Sequence, residues 1–213
     1  MKLFKVFAFM TVLMMTVGLS SCVKSGDSDT LESKWEEWLK EVQTEINASA
    51  GSYSGYLYYQ SDQSEHKLDS VDAVWNLNND STLDFQNVPI EVLVKHMPES
   101  QKDLQTAVSN AGRINIHVKL VYDYYYCSPL VMYVYPQYIT FPVDYDGATR
   151  QVKISFRTSE TTSDSYAKYM MKDDYGYVHK CLVGLYPEAL YLDGKLQTQF
   201  TADSYLIWLG AKN

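Results

Sequence analysis

Apolar and polar side chains alternate along most of this chain, and helical spacing replaces the alternation near its beginning. From Ile114 to Leu120 every second residue is apolar, while His117 and Lys119 fall on the opposite face, which is typical of a β-strand. Similar short runs, separated by polar or glycine-containing turns, fill most of the later sequence. The pattern predicts a mainly β (α+β) fold of eight to ten strands, arranged as an antiparallel β-sandwich or a barrel-like sheet.

Helical spacing is clearest over residues 31–47, where the apolar positions are Leu31, Trp35, Trp38, Leu39, Val42 and Ile46. We predict an N-terminal amphipathic helix that packs across a sheet of its own domain. A membrane-lying or partner-binding helix is the alternative, but the mixed Lys/Glu polar face differs from the cation-rich face of interfacial helices. Pro89 suits a first helical turn, and the spacing that follows predicts one or two short helices around residues 89–109.

A basic and apolar leader precedes the helix. Lys2 and Lys5 are followed by an apolar run over residues 7–17, which is the composition of a secretory signal and too short for a membrane span. The run ends in Leu19-Ser20-Ser21-Cys22, which resembles the bacterial lipobox. The resemblance implies that the Cys22 thiol carries diacylglycerol and that Cys22 becomes the first residue of the mature chain. Acyl chains then anchor the protein to a membrane.

The predicted organisation is a lipoprotein signal peptide over residues 1–21, a flexible tether over 22–30 and a single β-rich domain over 31–213. Removal of the two leader lysines takes the formal net charge of the chain from −8 to −10. This acidic balance, with no cluster of Lys and Arg, argues against nucleic-acid binding. The membrane, reached through lipidated Cys22, is the partner that the sequence predicts.

Two cysteines remain after Cys22 is lipidated. Cys127 and Cys181 both lie in apolar, strand-like runs. An exported protein meets oxidising conditions, so that an even pair favours a disulfide, whereas a buried free thiol packs as a small hydrophobic side chain. Both interpretations are open at the level of sequence.

Tyrosine is unusually frequent, with 19 residues against 7 Phe. The candidate binding surface comprises Tyr122, Tyr124, Tyr125, Tyr126, Tyr133 and Tyr135, and Tyr138 follows the same run. Such rings form cross-strand packing in many sheets, or a surface for a glycan, a peptide or an envelope protein. We expect packing for most of them and exposure for Tyr125, which falls on the opposite face of its strand from its neighbours.

No catalytic motif is present. The four histidines, His66, His96, His117 and His179, lack the spacing of a zinc site, and Asp144-Tyr145-Asp146-Gly147 is only a fragment of a calcium loop. We therefore expect no catalytic residue, metal or cofactor, and a non-enzymatic binding domain. Two alternatives stay open: a small hydrolase that uses carboxylates or His117 with His179, and a barrel that encloses a small apolar ligand.

Several short stretches together resemble small envelope lipoproteins of Bacteroidetes that are placed in domain families of unknown function. They are the lipobox leader, the Tyr-x-Gly step at Tyr53 to Gly55, the sequence from Asp84 to Pro89, and the tyrosine-rich strand from Val121 to Tyr126. The resemblance implies an outer-membrane lipoprotein, facing the periplasm or the cell surface, with a mainly β domain. It implies no activity.

Overall fold

The computed structural model describes residues 28–62, 67–127, 130–158, 166–170, 180–200 and 205–213. The helices are α1 (Ser28–Ser49), α2 (Ile90–Leu93) and α3 (Lys102–Ser109), with a 3-10 helix at Glu99–Gln101 before α3. The strands are β1 (Gly51–Asp62), β2 (Lys67–Leu77), β3 (Thr82–Pro89), β4 (Arg113–Cys127), β5 (Leu130–Pro136), β6 (Ile139–Tyr145), β7 (Ala148–Phe156), β8 (Tyr166–Met170), β9 (Lys180–Leu185), β10 (Pro187–Leu192), β11 (Lys195–Gln199) and β12 (Leu206–Lys212).

Eight strands form a closed antiparallel barrel. Their order around the barrel is β1, β12, β9, β8, β5, β4, β3 and β2, and β2 pairs back with β1. The other four form a smaller sheet in the order β11, β10, β7 and β6. The mainly β prediction, with a barrel-like antiparallel sheet and short helices between residues 89 and 109, is therefore confirmed.

Aromatic rings fill the barrel interior. Tyr53 stacks on Trp75 with 5.8 Å between ring centroids, and the Phe85 centroid lies 4.1 Å from that of Trp208. Aliphatic side chains from the other strands complete this core: Leu57, Leu77, Leu83, Ile116, Val118, Met132, Val134, Val183, Leu185 and Leu206 are all buried. The described side chains thus occupy the space that a barrel for a small apolar ligand would leave open, so this alternative gains no support.

The smaller sheet has its own buried face. Phe141, Val152 and Ile154 are buried on β6 and β7, and α3 packs against β6 through a surface that includes buried Leu104 and Val108. Pro142 lies in β6, an edge strand, where the missing N–H costs no ladder hydrogen bond. The alternation that buries one face of this sheet leaves its other face to solvent.

Helix α1 is longer at both ends than the predicted 31–47, and the chain divides into two compact units after Glu41. In the second unit, Val42 and Ile46 are buried, and the Tyr53 hydroxyl donates to the carbonyl of Ser49 at 2.5 Å. In the first unit, the rings of Trp35 and Trp38 stack at 5.0 Å. Residues 28–30 are helical, although the sequence predicted a tether there; the signal peptide and Cys22 lie outside the described residues. No described helix is long and apolar enough to cross a bilayer.

Candidate functional site

The predicted tyrosine surface is only partly within the described side chains. Tyr122, Tyr124, Tyr125 and Tyr126 lie on β4, but their side chains are outside the described part. On β5, Tyr133 and Tyr135 are half-buried and alternate with buried Met132 and Val134, so they face away from the barrel interior. The register places Tyr133 opposite Val121 and Tyr135 opposite Lys119 of β4.

A different aromatic group is found on the smaller sheet. Lys153 of β7 lies between buried Val152 and Ile154, so its side chain points away from the buried face. Its Nζ lies 4.2 Å from the ring centroid of Tyr138 and 5.4 Å from that of Tyr191 on β10. We call Tyr138, Lys153 and Tyr191 the tyrosine–lysine face.

The tyrosine–lysine face is positioned by strand register, with Tyr138 exposed and Lys153 and Tyr191 half-buried. Tyr138 has 60% of its surface exposed, and Lys153 is paired in register with Thr140 on one side and Tyr191 on the other. Leu196 of β11, paired with Tyr191, is 51% exposed and extends the apolar surface. Each cation–π contact at such a site contributes about 0.5–1 kcal/mol, which orders the ammonium and both rings. The sequence indicated Tyr138 but not its partners, because the pairing of β7 with β10 is not local.

The hydrolase alternative depended on His117 and His179. His117 Nδ1 lies 2.5 Å from Asp84 Oδ1, between the paired strands β4 and β3, while His179 is outside the described residues. The hydrogen bond from His117 lowers the pKa of Asp84; burial opposes this effect, and a further hydrogen bond from Asn78 adds to the lowering.

The His117–Asp84 pair has the first two members of a catalytic triad without the third. Both side chains are almost half exposed, and the described part shows no serine, threonine or cysteine hydrogen-bonded to His117. A nucleophilic mechanism needs a nucleophile within reach of the base. What the described part of the chain shows is a hydrogen-bonded His–Asp pair on the surface.

The fragment of a calcium loop forms a hairpin turn between β6 and β7. Asp146 and Gly147 have φ values of 53° and 71°, as a type I′ turn requires, and Thr149 donates to Asp144 Oδ1 at 2.8 Å. Among the described residues, no three His, Cys, Asp or Glu side chains come close enough together to hold a metal ion.

The sheet register separates Cys127 from Cys181, for which the sequence left both a disulfide and buried free thiols open. Cys127 pairs with Leu130 of β5, and Cys181 pairs with Tyr169 of β8, so that β5 and β8 lie between the two cysteine-bearing strands. Three strand spacings are roughly 14 Å along the sheet, whereas disulfides need Cα atoms within about 7 Å. Cys181 is a free and buried thiol, in agreement with the alternative interpretation.

The sequence of this chain matches a known domain family. One family model matches residues 48–192, which is more than half of the chain. The chain belongs to DUF4840, a domain family of unknown function. The DUF4840 match spans β1 to β10 and includes the tyrosine–lysine face and the His117–Asp84 pair. No curated protein and no solved structure matches the chain. The expected domain family of unknown function is therefore confirmed.

Proposed function

We propose that this DUF4840 protein is a membrane-anchored envelope lipoprotein whose β domain binds a glycan through the tyrosine–lysine face. The observation that carries the binding proposal is the placement of Lys153 Nζ over both tyrosine rings on the solvent side of the smaller sheet. The anchor proposal rests on Leu19-Ser20-Ser21-Cys22 at the end of the leader. The domain is non-enzymatic in this proposal.

The chemistry of the tyrosine–lysine face suits a sugar. The negative face of an aromatic ring attracts the weakly positive C–H groups on the flat side of a pyranose. The tyrosine hydroxyls and the Lys153 ammonium supply hydrogen bonds at the ring edges, and a carboxylate on an acidic sugar would pair with the ammonium. Tyrosine is also preferred at recognition surfaces because it offers large contact area with little side-chain entropy.

A glycan array tests the binding proposal. We expect the purified protein to bind a subset of envelope or host glycans, and Tyr138→Ala to weaken binding by tenfold or more. Tyr56→Ala is the matched control, because Tyr56 is also about half exposed but lies on β1 of the barrel. Equal loss in both variants, or an array without any bound glycan, would contradict a site at the tyrosine–lysine face.

The anchor is tested separately. We expect Cys22→Ser to move the protein from the membrane fraction to the soluble fraction and to abolish incorporation of labelled palmitate, because the acylated thiol is lost. The circular dichroism spectrum of the released domain should match that of the wild type. A Cys22→Ser variant that stays in the membrane fraction would overturn the proposed lipid anchor.

A further inference from the structure

A row of four side chains crosses the solvent side of the smaller sheet and contains the tyrosine–lysine face. The register pairs Thr140 of β6 with Lys153 of β7, and Lys153 with Tyr191 of β10. Tyr191 is paired in turn with Leu196 of β11. Residues directly opposite each other in antiparallel strands have Cβ atoms about 5 Å apart, so these four side chains are neighbours.

Thr140 places a hydroxyl group next to the Lys153 ammonium. It lies between Ile139 and Phe141, which are both buried, so its exposed side chain points to the solvent side, as that of Lys153 does. Within the described residues this hydroxyl makes no hydrogen bond. Lys153 and Thr140 therefore offer a charged and a neutral hydrogen-bond donor side by side.

Lys153 has no carboxylate partner in the part of the chain that the structure describes. Carboxylates at the ends of the neighbouring strands are engaged with other groups. Asp193 pairs with Arg150 at 3.1 Å, and Asp144 accepts a hydrogen bond from the Thr149 hydroxyl at 2.8 Å. In a chain with a formal net charge of −8, an ammonium held by two rings and without an anion can accept one from a ligand.

We propose that the tyrosine–lysine face selects a glycan that carries a carboxylate, such as an oligosaccharide of uronic acids, and that Lys153 and Thr140 bind this carboxylate. The inference rests on the glycan-binding function proposed above and names the class of sugar that the site takes. One carboxylate oxygen accepts from the Lys153 ammonium and the other from the Thr140 hydroxyl. A charge-assisted hydrogen bond is about twice as strong as a neutral one, which favours an acidic sugar over a neutral sugar of the same shape.

The apolar surface beside Lys153 favours a sugar over other carboxylates. Tyr138 is 60% exposed and Leu196 is 51% exposed. The C–H groups of a pyranose can contact such surface while the carboxylate of the same ring reaches Lys153. An acidic peptide has no comparable flat group next to its carboxylate, and it therefore serves as a probe in the test.

The test compares each acidic glycan with its uncharged form. Uronic-acid oligosaccharides are printed on an array beside their methyl esters, and the pair that contains the tightest ligand is titrated into the purified protein by calorimetry. Penta-glutamate is the probe for carboxylates without a sugar. Lys153→Gln removes the charge, Lys153→Arg keeps it, and Thr140→Val removes the hydroxyl. Lys67→Gln is the matched control, because Lys67 is an exposed strand lysine on β2 of the barrel.

We expect the wild type to bind the acid about tenfold more tightly than the ester, as a hydrogen bond to a charged group predicts. Lys153→Gln should abolish this preference by weakening the acid and not the ester, while Lys153→Arg keeps most of it. Thr140→Val should weaken the acid severalfold, and Lys67→Gln should change neither ligand. Tyr138→Ala should weaken acid and ester alike, since it removes the contact with the sugar ring.

The proposal is overturned if the wild type binds acid and ester equally, if Lys153→Gln keeps the preference, or if penta-glutamate binds as tightly as the acidic glycan. Equal binding of acid and ester, with both weakened by Tyr138→Ala, would leave the glycan-binding function intact and remove only the selection for charge. An array without any bound glycan would remove both. The comparison of acid with ester on the wild type decides even where a variant does not fold.

Discussion

Gly55 lies directly opposite Gly210 where β1 pairs with β12, and the strands approach so closely that neither position has room for a Cβ atom. A Cβ on Gly55 would lie 2.5 Å from Gly210 Cα, and one on Gly210 would lie 2.5 Å from the indole ring of Trp75. Carbonyl oxygens of Leu209 and Ser54 would be closer still. The two glycines therefore let β1 and β12 pair next to the largest ring of the core.

We predict that Gly210→Ala destabilises the protein by about 1–3 kcal/mol, because the added methyl group must displace backbone or the Trp75 ring. Urea unfolding followed by tryptophan fluorescence measures the change. Gly184→Ala is the matched control on β9, since its Cβ would meet only a Tyr186 ring atom at 3.8 Å. Equal stability of the two variants would show that the close approach of β1 and β12 does not restrict the side chain at position 210.

The alternation that the sequence shows on β4 was sufficient to predict its buried face, because buried Ile116 and Val118 each lie between polar neighbours and buried Leu120 continues the same period. The hairpin of β6 and β7 was equally predictable, since Asp146-Gly147 adopts the positive φ values that its turn needs. Such local patterns can be recognised in the sequence because the residues that determine each element are adjacent in the chain.

Closure of the barrel and the candidate sites depend on contacts between distant strands. The pairing of β1 with β12 joins the two ends of the β domain, and no local pattern indicates that Gly55 would face Gly210. Tyr191 meets Lys153 only because β10 pairs with β7 in one register. His96 reaches the backbone oxygen of Gln60 because the loop after α2 approaches the end of β1, which sequence periodicity does not encode.

The contact of Phe85 with Trp208 predicts a large loss of stability on truncation. Both side chains are almost fully buried, so Phe85→Ala should lower the free energy of unfolding by about 3–5 kcal/mol through lost burial and the cavity that it leaves. Chemical denaturation measures this loss. Tyr138→Ala, at an exposed position, should change stability by only about 0.5 kcal/mol. A small effect of Phe85→Ala would mean that the core rearranges to fill the space.

The Asp84–His117 pair predicts a dependence of stability on acid pH. The hydrogen bond from His117 holds the pKa of Asp84 below its ordinary value, so the unfolded chain takes up the proton first as pH falls. The contribution of Asp84 is therefore present above about pH 4, its ordinary pKa, and is lost as pH falls through the lower folded value. Because both groups are nearly half exposed, this contribution should be at most about 1 kcal/mol.

Urea unfolding of wild type and Asp84→Asn between pH 7 and pH 2.5 measures that contribution. We expect the wild type to be more stable at neutral pH and the two proteins to converge at the acid end. In a His117→Gln background, most of the difference between Asp and Asn at position 84 should disappear. A difference that persists in that background would assign the effect to Asn78, which also donates to Asp84.

Cys181 should be inert towards thiol reagents in the native protein. Its side chain is fully buried, and this burial raises the pKa of the thiol to about 12. The Trp75 indole N–H offsets a little of this rise, although it makes no hydrogen bond of normal geometry within the described part of the chain. The reactive thiolate is therefore absent at neutral pH.

Iodoacetamide labelling with peptide mass spectrometry tests this prediction residue by residue. We expect the Cys181 peptide to be unmodified in native protein and fully modified in urea, and to appear without a disulfide to Cys127 in a non-reducing digest. Because the unfolded thiol ionises near its ordinary pKa of about 8.5 while the folded thiol stays protonated, stability should also fall as pH rises above that value. A Cys181→Ala variant should lack this alkaline loss, and native labelling of Cys181 would contradict its buried position.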